Sequence, residues 1–202
     1  MEVKKRNEEI EILLEIYKKV IPITNMDIYR SSKGDRGSKH DDYMSPNYAW
    51  DWIRPYIPAD KKIWEAFYGD GESGKYLASL GLDVIHKDID FFENDLGEVI
   101  VSNPPFSKKK EVYTRLRELD KPFIMISPSG MINTKYIQKL FSDADSPLQI
   151  AIPPKRINFI KLVDGKVPDD FKNRCSFDCF YYCYKIGLPR DILWLSRDTL
   201  TD

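Results

Sequence analysis

Asn103-Pro104-Pro105-Phe106 directly follows the apolar run Val99-Ile-Val-Ser102, which places an amide side chain at the end of a strand. The two prolines stop the ladder and stiffen the turn, because each lacks an N–H and has φ held near about −65°. Phe106 is then expected as an exposed ring at the mouth of a pocket. An amide, a proline carbonyl and an aromatic face on one rigid turn could grip a flat ring that bears an amino group.

A second group of residues precedes this turn. Gly69-Asp-Gly71-Glu-Ser-Gly74 follows the strand-like Ile63-Trp-Glu-Ala-Phe67, and glycines there let the backbone pass close to a ligand with no Cβ in the way. Asp88 ends the next strand, where a carboxylate can accept from both hydroxyls of a ribose. Asp90-Phe91-Phe92 follows with an acceptor and rings for an adenine. Taken singly, the glycines could be a plain turn and Asp88 a cap. Their order within one βαβ context instead describes a nucleoside site beside a grip for a second planar ring.

The elements that must position these residues read as alternating strands and helices. Strands are expected at 63–67, 83–86, 99–102 and 123–127, and helices at 74–80, 109–119 (Val112, Leu116 and Leu119 inward) and 134–141. Short apolar strands separated by helices predict a parallel sheet covered on both faces. Residues 148–152, 156–163 and 175–186 read as three further strands, with a turn at Asp164-Gly165-Lys166, so the sheet should close with an antiparallel end. Before the first strand, 47–56 reads as a short aromatic helix with Pro46 in its first turn and Ser45 or Asn47 as cap. Residues 8–20 form an amphipathic helix ended by Pro22, and 31–42 an apolar-free, basic-leaning loop.

Length and composition bound the rest. The chain has 202 residues, 42% hydrophobic and 31% charged, with a net charge of −1; one globular domain with a full core is expected. No global field draws it to nucleic acid, so any such contact must use local basic patches. Cys175, Cys179 and Cys183, with only His40 and His86 to help, make a poor zinc set; buried thiols in a reducing compartment are the expectation. No apolar run approaches the roughly 20 residues of a membrane span, and no signal peptide opens the chain.

Glu65-Ala-Phe67-Tyr-Gly69-Asp-Gly71 resembles the cofactor loop of S-adenosylmethionine-dependent methyltransferases. Asn103-Pro104-Pro105-Phe106 resembles the catalytic tetrapeptide of amino-group methyltransferases, above all the N6-adenine family of small phage and large-virus type. Asp42-Tyr43-Met44-Ser45-Pro46 is similar to the segment that closes over the methionine end of the cofactor. The resemblance runs from about Asp42 to Ile186. It implies a Rossmann-like α/β fold of seven strands, six parallel and one antiparallel, with residues 1–41 as an amino-terminal helix and loop and 42–202 as the catalytic domain. It further implies S-adenosyl-L-methionine as cofactor, lined by Glu65, Phe67, Gly69 and Gly71, with Asp88 on its ribose, Asp90 and Phe91 on its adenine, and Tyr43 to Pro46 near its methionine moiety. Asn103 and the Pro104 carbonyl would accept the two hydrogens of the target amine, and Phe106 would stack on the base.

Two departures from the family are visible. The interval from Asp88 to Asn103 is short, which compresses the separate ribose and adenine strands. Asn stands where adenine-DNA enzymes commonly have Asp, and Asn also occurs in methylases of ribosomal-RNA guanine and of protein glutamine. Nothing sizeable sits between the glycine turn and Asn103, so a separate recognition region of the kind usual in sequence-specific DNA enzymes is not expected there. Lys108, Lys109 and Lys110, with Lys155 and Arg156, are the candidate phosphate contacts, alongside a reading of them as solvated surface charge. The expected substrate is adenine N6 in DNA, ahead of an RNA base, in a cytoplasmic or nuclear setting that includes a virus-infected cell. The rival is a catalytically silent cofactor-binding subunit, with the 8–20 helix as a dimer or partner surface.

Overall fold

The computed structural model describes residues 43–161 and 177–196, which all belong to one unit of the chain, Gly37–Asp202. The helix expected at 8–20, the loop at 31–42, the turn at 164–166 and Cys175 lie outside the described residues.

A seven-stranded sheet organises this unit. Its strands are β2 (Lys62–Glu65), β3 (Asp83–His86), β4 (Val99–Ser102), β5 (Phe123–Pro128), β6 (Leu148–Ile152), β8 (Cys179–Tyr184) and β9 (Ile192–Trp194), in the order β3-β2-β4-β5-β8-β6-β9. Six run in one direction, and β8 runs against both its neighbours, β5 and β6. That is the six-and-one, Rossmann-like pattern expected, and the reversed strand falls inside 175–186.

Membership differs from expectation in one respect. No further strand lies between β3 and β4, so β3 is an edge of the sheet. The seventh strand is β9 at the opposite edge, in a stretch where the sequence suggested little.

Alternation along each strand builds the two layers. Ile63, Val99, Val101, Ile124, Ile126, Tyr181 and Cys183 point to one face, packed with Trp50 and Ile53 of α1 (Asn47–Ile53) and Leu77 of α2 (Glu72–Ser79). Trp64, Ile100, Phe123, Met125, Tyr182 and Tyr184 point to the other, packed with Val112, Tyr113 and Leu116 of α3 (Lys109–Leu119) and Ile137 of α4 (Lys135–Phe141). Burial pushes the Cys183 thiol well above its ordinary value, so it is an inert core group. No helix among the described residues is long and apolar enough to cross a membrane.

Three expectations need correction. Within the described part of the strand predicted at 156–163, only Ile160–Lys161 form a strand, β7, and it pairs not with the large sheet but antiparallel with β1 (Tyr43–Met44). The two prolines at 153–154 turn the chain off the sheet before this segment, because neither can donate to a ladder. The α1 cap is also absent: Pro46 occupies the N-cap position, and neither Ser45 nor Asn47 makes a side-chain capping bond. On α3 the inward face is wider than expected: Leu119 packs partly buried against the core beside Val112 and Leu116, and Tyr113, not foreseen there, is fully buried among them.

Candidate functional site

The carboxyl ends of β2, β3 and β4 open into a cleft of about 340 Å³, where α/β sheets ordinarily take ligands. Its walls bring together most of the residues singled out from sequence. Glu65, Phe67 and Gly69 come from the end of β2 and the turn after it, and Asp88, Asp90 and Phe91 from beyond β3. Asn103, Pro104, Pro105, Phe106 and Lys108 come from the turn after β4, and Tyr43, Met44 and Ser45 from the β1 segment. Pro46, Gly71, Lys109, Lys110, Lys155 and Arg156 are not among its lining residues.

The glycine turn is built by backbone shape. Gly69 and Gly71 adopt φ of +58° and +87°, conformations that a side chain strongly disfavours. A Cβ on Gly69 would lie 3.0 Å from Met44 Sδ, so β1 rests directly on the turn. Asp70 closes the turn by accepting the Glu72 N–H at 3.0 Å, which starts α2.

Beneath the cleft lies a buried polar network. Glu65, 1% exposed, accepts from the Ser102 hydroxyl, and its other oxygen sits 3.1 Å from His86 Nε2, an ion pair when the imidazole is protonated. Ser102 Oγ in turn accepts the Phe67 N–H at 3.2 Å, tying the ends of β2 and β4 together. Burial pushes the Glu65 carboxyl up, while His86 and Ser102 pull it down; bonding to Glu65 raises the His86 imidazole. Tyr68 stacks on the His86 ring at 4.5 Å. Gly74 is what admits that ring, since a Cβ there would lie 2.1 Å from it. Glu65 therefore enters the site as a fixed wall group. The network was not anticipated from sequence; its one signal was Gly74, three positions past Gly71 of the glycine turn.

The turn after β4 carries the most informative atom. Asn103 Nδ2 donates to the Tyr43 carbonyl at 3.2 Å. A carbonyl can only accept, so it fixes the nitrogen end of the amide and leaves Oδ1 as the other end. Asn103 Oδ1 is buried and has no hydrogen-bond partner. Buried acceptors are rarely left so, because a lost partner costs about 1–3 kcal/mol. Ser45 Oγ, in the same cleft, is in the same condition.

The aromatic residues depart from expectation. Phe106 is partly buried rather than exposed, with edge-on contacts to Phe159 at 6.0 Å and Phe177 at 5.1 Å. Those partners come from distant stretches, so the apolar packing they offer was invisible beside the tetrapeptide. Phe91 is 2% exposed and packs on Trp64 and Phe67, forming floor rather than a free face. The half-buried Phe92, with Lys108 Nζ 6.0 Å above its ring, is the aromatic at the rim.

The basic candidates separate clearly. Lys108 lines the cleft, Lys110 is exposed beside it, and Lys109 donates to the Phe106 carbonyl at 3.1 Å. Lys155 sits over the rings of Tyr48 and Trp52 at 4.9 and 5.6 Å, and Arg156 pairs with Asp178 at 2.6 Å.

Comparison with known proteins adds little to this geometry. No family model matches the sequence, and no curated protein is significantly similar to it. Among solved structures, a Listeria monocytogenes protein assigned to the class I S-adenosylmethionine-dependent methyltransferases aligns over 84% of this chain and 70% of its own, at 12% identity and a TM-score of 0.42. So distant a likeness carries no functional weight, and the fold description rests on the strand order itself.

The charge of the lining selects among ligands. Glu65, Asp70, Asp88 and Asp90 face the cleft with Lys108 as the one cationic side chain among its lining residues. Glu72 adds a further acid in the first turn of α2. A phosphate or pyrophosphate at the glycine turn would meet like charge. A neutral or cationic ligand meets no such opposition.

Proposed function

We propose that the chain is an S-adenosylmethionine-dependent methyltransferase of exocyclic amino groups, with adenine N6 in DNA as its first-ranked substrate. The observation that carries this reading is Asn103 Oδ1: a buried acceptor without a donor, on an Asn-Pro-Pro-Phe turn that shares one cleft with the glycine turn. The residues present fit the cofactor. Gly69 lets the backbone approach it, Asp88 offers acceptors for ribose hydroxyls, and the acidic lining suits a cation. When bound, S-adenosylmethionine supplies a methyl group on a positively charged sulfur, which is reactive without metal assistance.

The work left to this chain is placement of the amine. An aromatic amine is a poor nucleophile because its lone pair is delocalised into the ring. Accepting one hydrogen at Asn103 Oδ1 and the other at the Pro104 carbonyl favours a pyramidal nitrogen with its lone pair released. Those dipoles also stabilise the positive charge that develops on nitrogen, and holding the amine in line with the donor supplies much of the acceleration. The Tyr43 carbonyl and the prolines keep Asn103 in this geometry before substrate arrives. A base within a duplex must first leave the stack to reach so recessed an acceptor. Lys108 and Lys110 stand at the rim where its backbone passes.

Transfer of labelled methyl groups from S-adenosylmethionine to a panel of DNA, RNA and protein tests the assignment. Label in DNA adenine is expected. Label only in RNA keeps the chemistry and changes the substrate, whereas cofactor binding without transfer to any acceptor identifies a non-catalytic subunit.

A further inference from the structure

Ser102 ends β4, one residue before Asn103, and is fully buried outside the lining of the cleft. A buried hydroxyl must find its partners inside the protein. This one finds two, and both belong to the end of the neighbouring strand β2. It donates to Glu65 Oε1 and accepts the Phe67 N–H at 3.2 Å. Phe67 stands two residues before Gly69. One hydroxyl therefore reaches from the root of the Asn103 turn to the root of the glycine turn.

The backbone ladder does not make this link. Paired residues of β2 and β4 end at Trp64 and Ile100. On the flanks pairing goes further, to Glu65 and His86 between β2 and β3, and to Ser102 and Met125 between β4 and β5. The ladder is thus shortest between the two strands that carry the functional turns, and the Ser102 hydroxyl bonds across the place where it stops.

The acceptor that Ser102 meets is itself clamped. The second oxygen of Glu65 lies against His86 Nε2, and the His86 ring is stacked on Tyr68 with 15° between the planes. Tyr68 belongs to the glycine turn, where its carbonyl accepts the Gly71 N–H at 2.9 Å. A carboxylate held at both oxygens has a set position, and the hydroxyl that bonds to it sets where β4 ends. A separate link joins the same two turns through β1: Asn103 Nδ2 donates to the Tyr43 carbonyl, and the adjacent Met44 rests on Gly69.

We propose that Ser102 is a positioning residue for methyl transfer: by bonding Glu65 and the Phe67 N–H at once, it fixes the separation of the glycine turn from Asn103. It acts through those neighbours, on the alignment of a donor held at one turn with an amine held at the other. A misplacement of about 1 Å in such an alignment can cost about 10²-fold in rate. The kinetic consequence rests on the methyl-transfer reading above, whereas the mechanical link between the turns does not.

Ser102→Ala, which removes the hydroxyl and adds no volume, tests both parts. Single-turnover transfer, measured with the variant saturated by S-adenosylmethionine, is expected to slow by about 10- to 10²-fold. The Kd for S-adenosylmethionine and the KM for the acceptor should stay nearly unchanged. A merely structural role would lower the melting temperature and leave that rate as it is in the wild type. Amide hydrogen exchange reads the link without any transfer. The Gly71 N–H and the Lys108 N–H, bonded to the Tyr68 and Pro105 carbonyls in the two turns, should both exchange faster in the variant relative to amides of β5. A wild-type single-turnover rate in the variant overturns the proposal, and so does faster exchange confined to the Phe67 N–H. A wild type that methylates no acceptor refutes the methyl-transfer reading and the kinetic role with it. The exchange pattern then still supports or refutes the link.

Discussion

The two ends of the parallel strands treat their polar groups in opposite ways. At the amino end of β5, Asp120 accepts from Arg117 at 2.9 Å, from the Tyr184 hydroxyl at 3.1 Å and from Lys185 at 2.6 Å, while Arg117 also donates to Tyr184. That cluster is closed on itself, and its lysine and arginine also lie against the Tyr184 ring. At the carboxyl ends, Asn103 Oδ1 and Ser45 Oγ are buried without partners, and four acidic side chains face a cleft with a single lysine among its lining residues. The first arrangement meets its needs inside the protein and reads as structure. The second is satisfied only when something else arrives, and reads as a site.

Exchanging the two ends in experiment should separate these roles. Asn103→Ala should lower methyl transfer by about 10²- to 10³-fold with cofactor affinity and melting temperature nearly unchanged. Near-normal turnover in that variant would sink both the comparison and the assignment. Gly74→Ala should destabilise by about 1–3 kcal/mol in denaturant titration, because the added methyl must displace the His86 ring from beneath Tyr68 and from Glu65. Asp120→Ala should cost about 1 kcal/mol or less, read by the same titration, and leave methyl transfer intact; a large loss of transfer would mean that the two ends are not independent.

The smallest expected effect is in pH. His86 and Glu65 both bind their proton more tightly in the folded chain than in the unfolded one. The folded state then holds more protons, so stability falls as pH rises. For His86 the contribution is complete below its unfolded value of about 6.5 and fades as pH passes through the raised folded value. Melting temperatures on rising from pH 6 should therefore decline, and His86→Gln should flatten that slope. An unchanged slope would show that the pair does not titrate there.

Strands bounded by strong punctuation were legible in the sequence. β3, β4 and β6 begin and end where their apolar runs do, because Gly81, Pro104 and Pro153 leave no alternative on one side. The tetrapeptide and the acidic residues after β3 could be placed in one cleft because the topology sends every parallel strand's carboxyl end to the same side. What escaped depended on contacts between distant segments. The Phe106 environment is supplied by Phe159 and Phe177. β7 left its expected sheet for a partner, β1, more than a hundred positions earlier in the chain. β9 is too short to show a period, and its exposed Ile192 and Trp194 read as surface. The Glu65–His86 pair needed β2 and β3 side by side before either residue had a partner.

Of the four tryptophans, Trp50, Trp52 and Trp64 are buried, and Trp194 stands in solvent. The protein therefore carries one indole whose emission is red-shifted and open to collisional quenchers, against three that are shielded. Excitation at the red edge of the absorption band isolates it, so the environment of a single strand can be followed without any label.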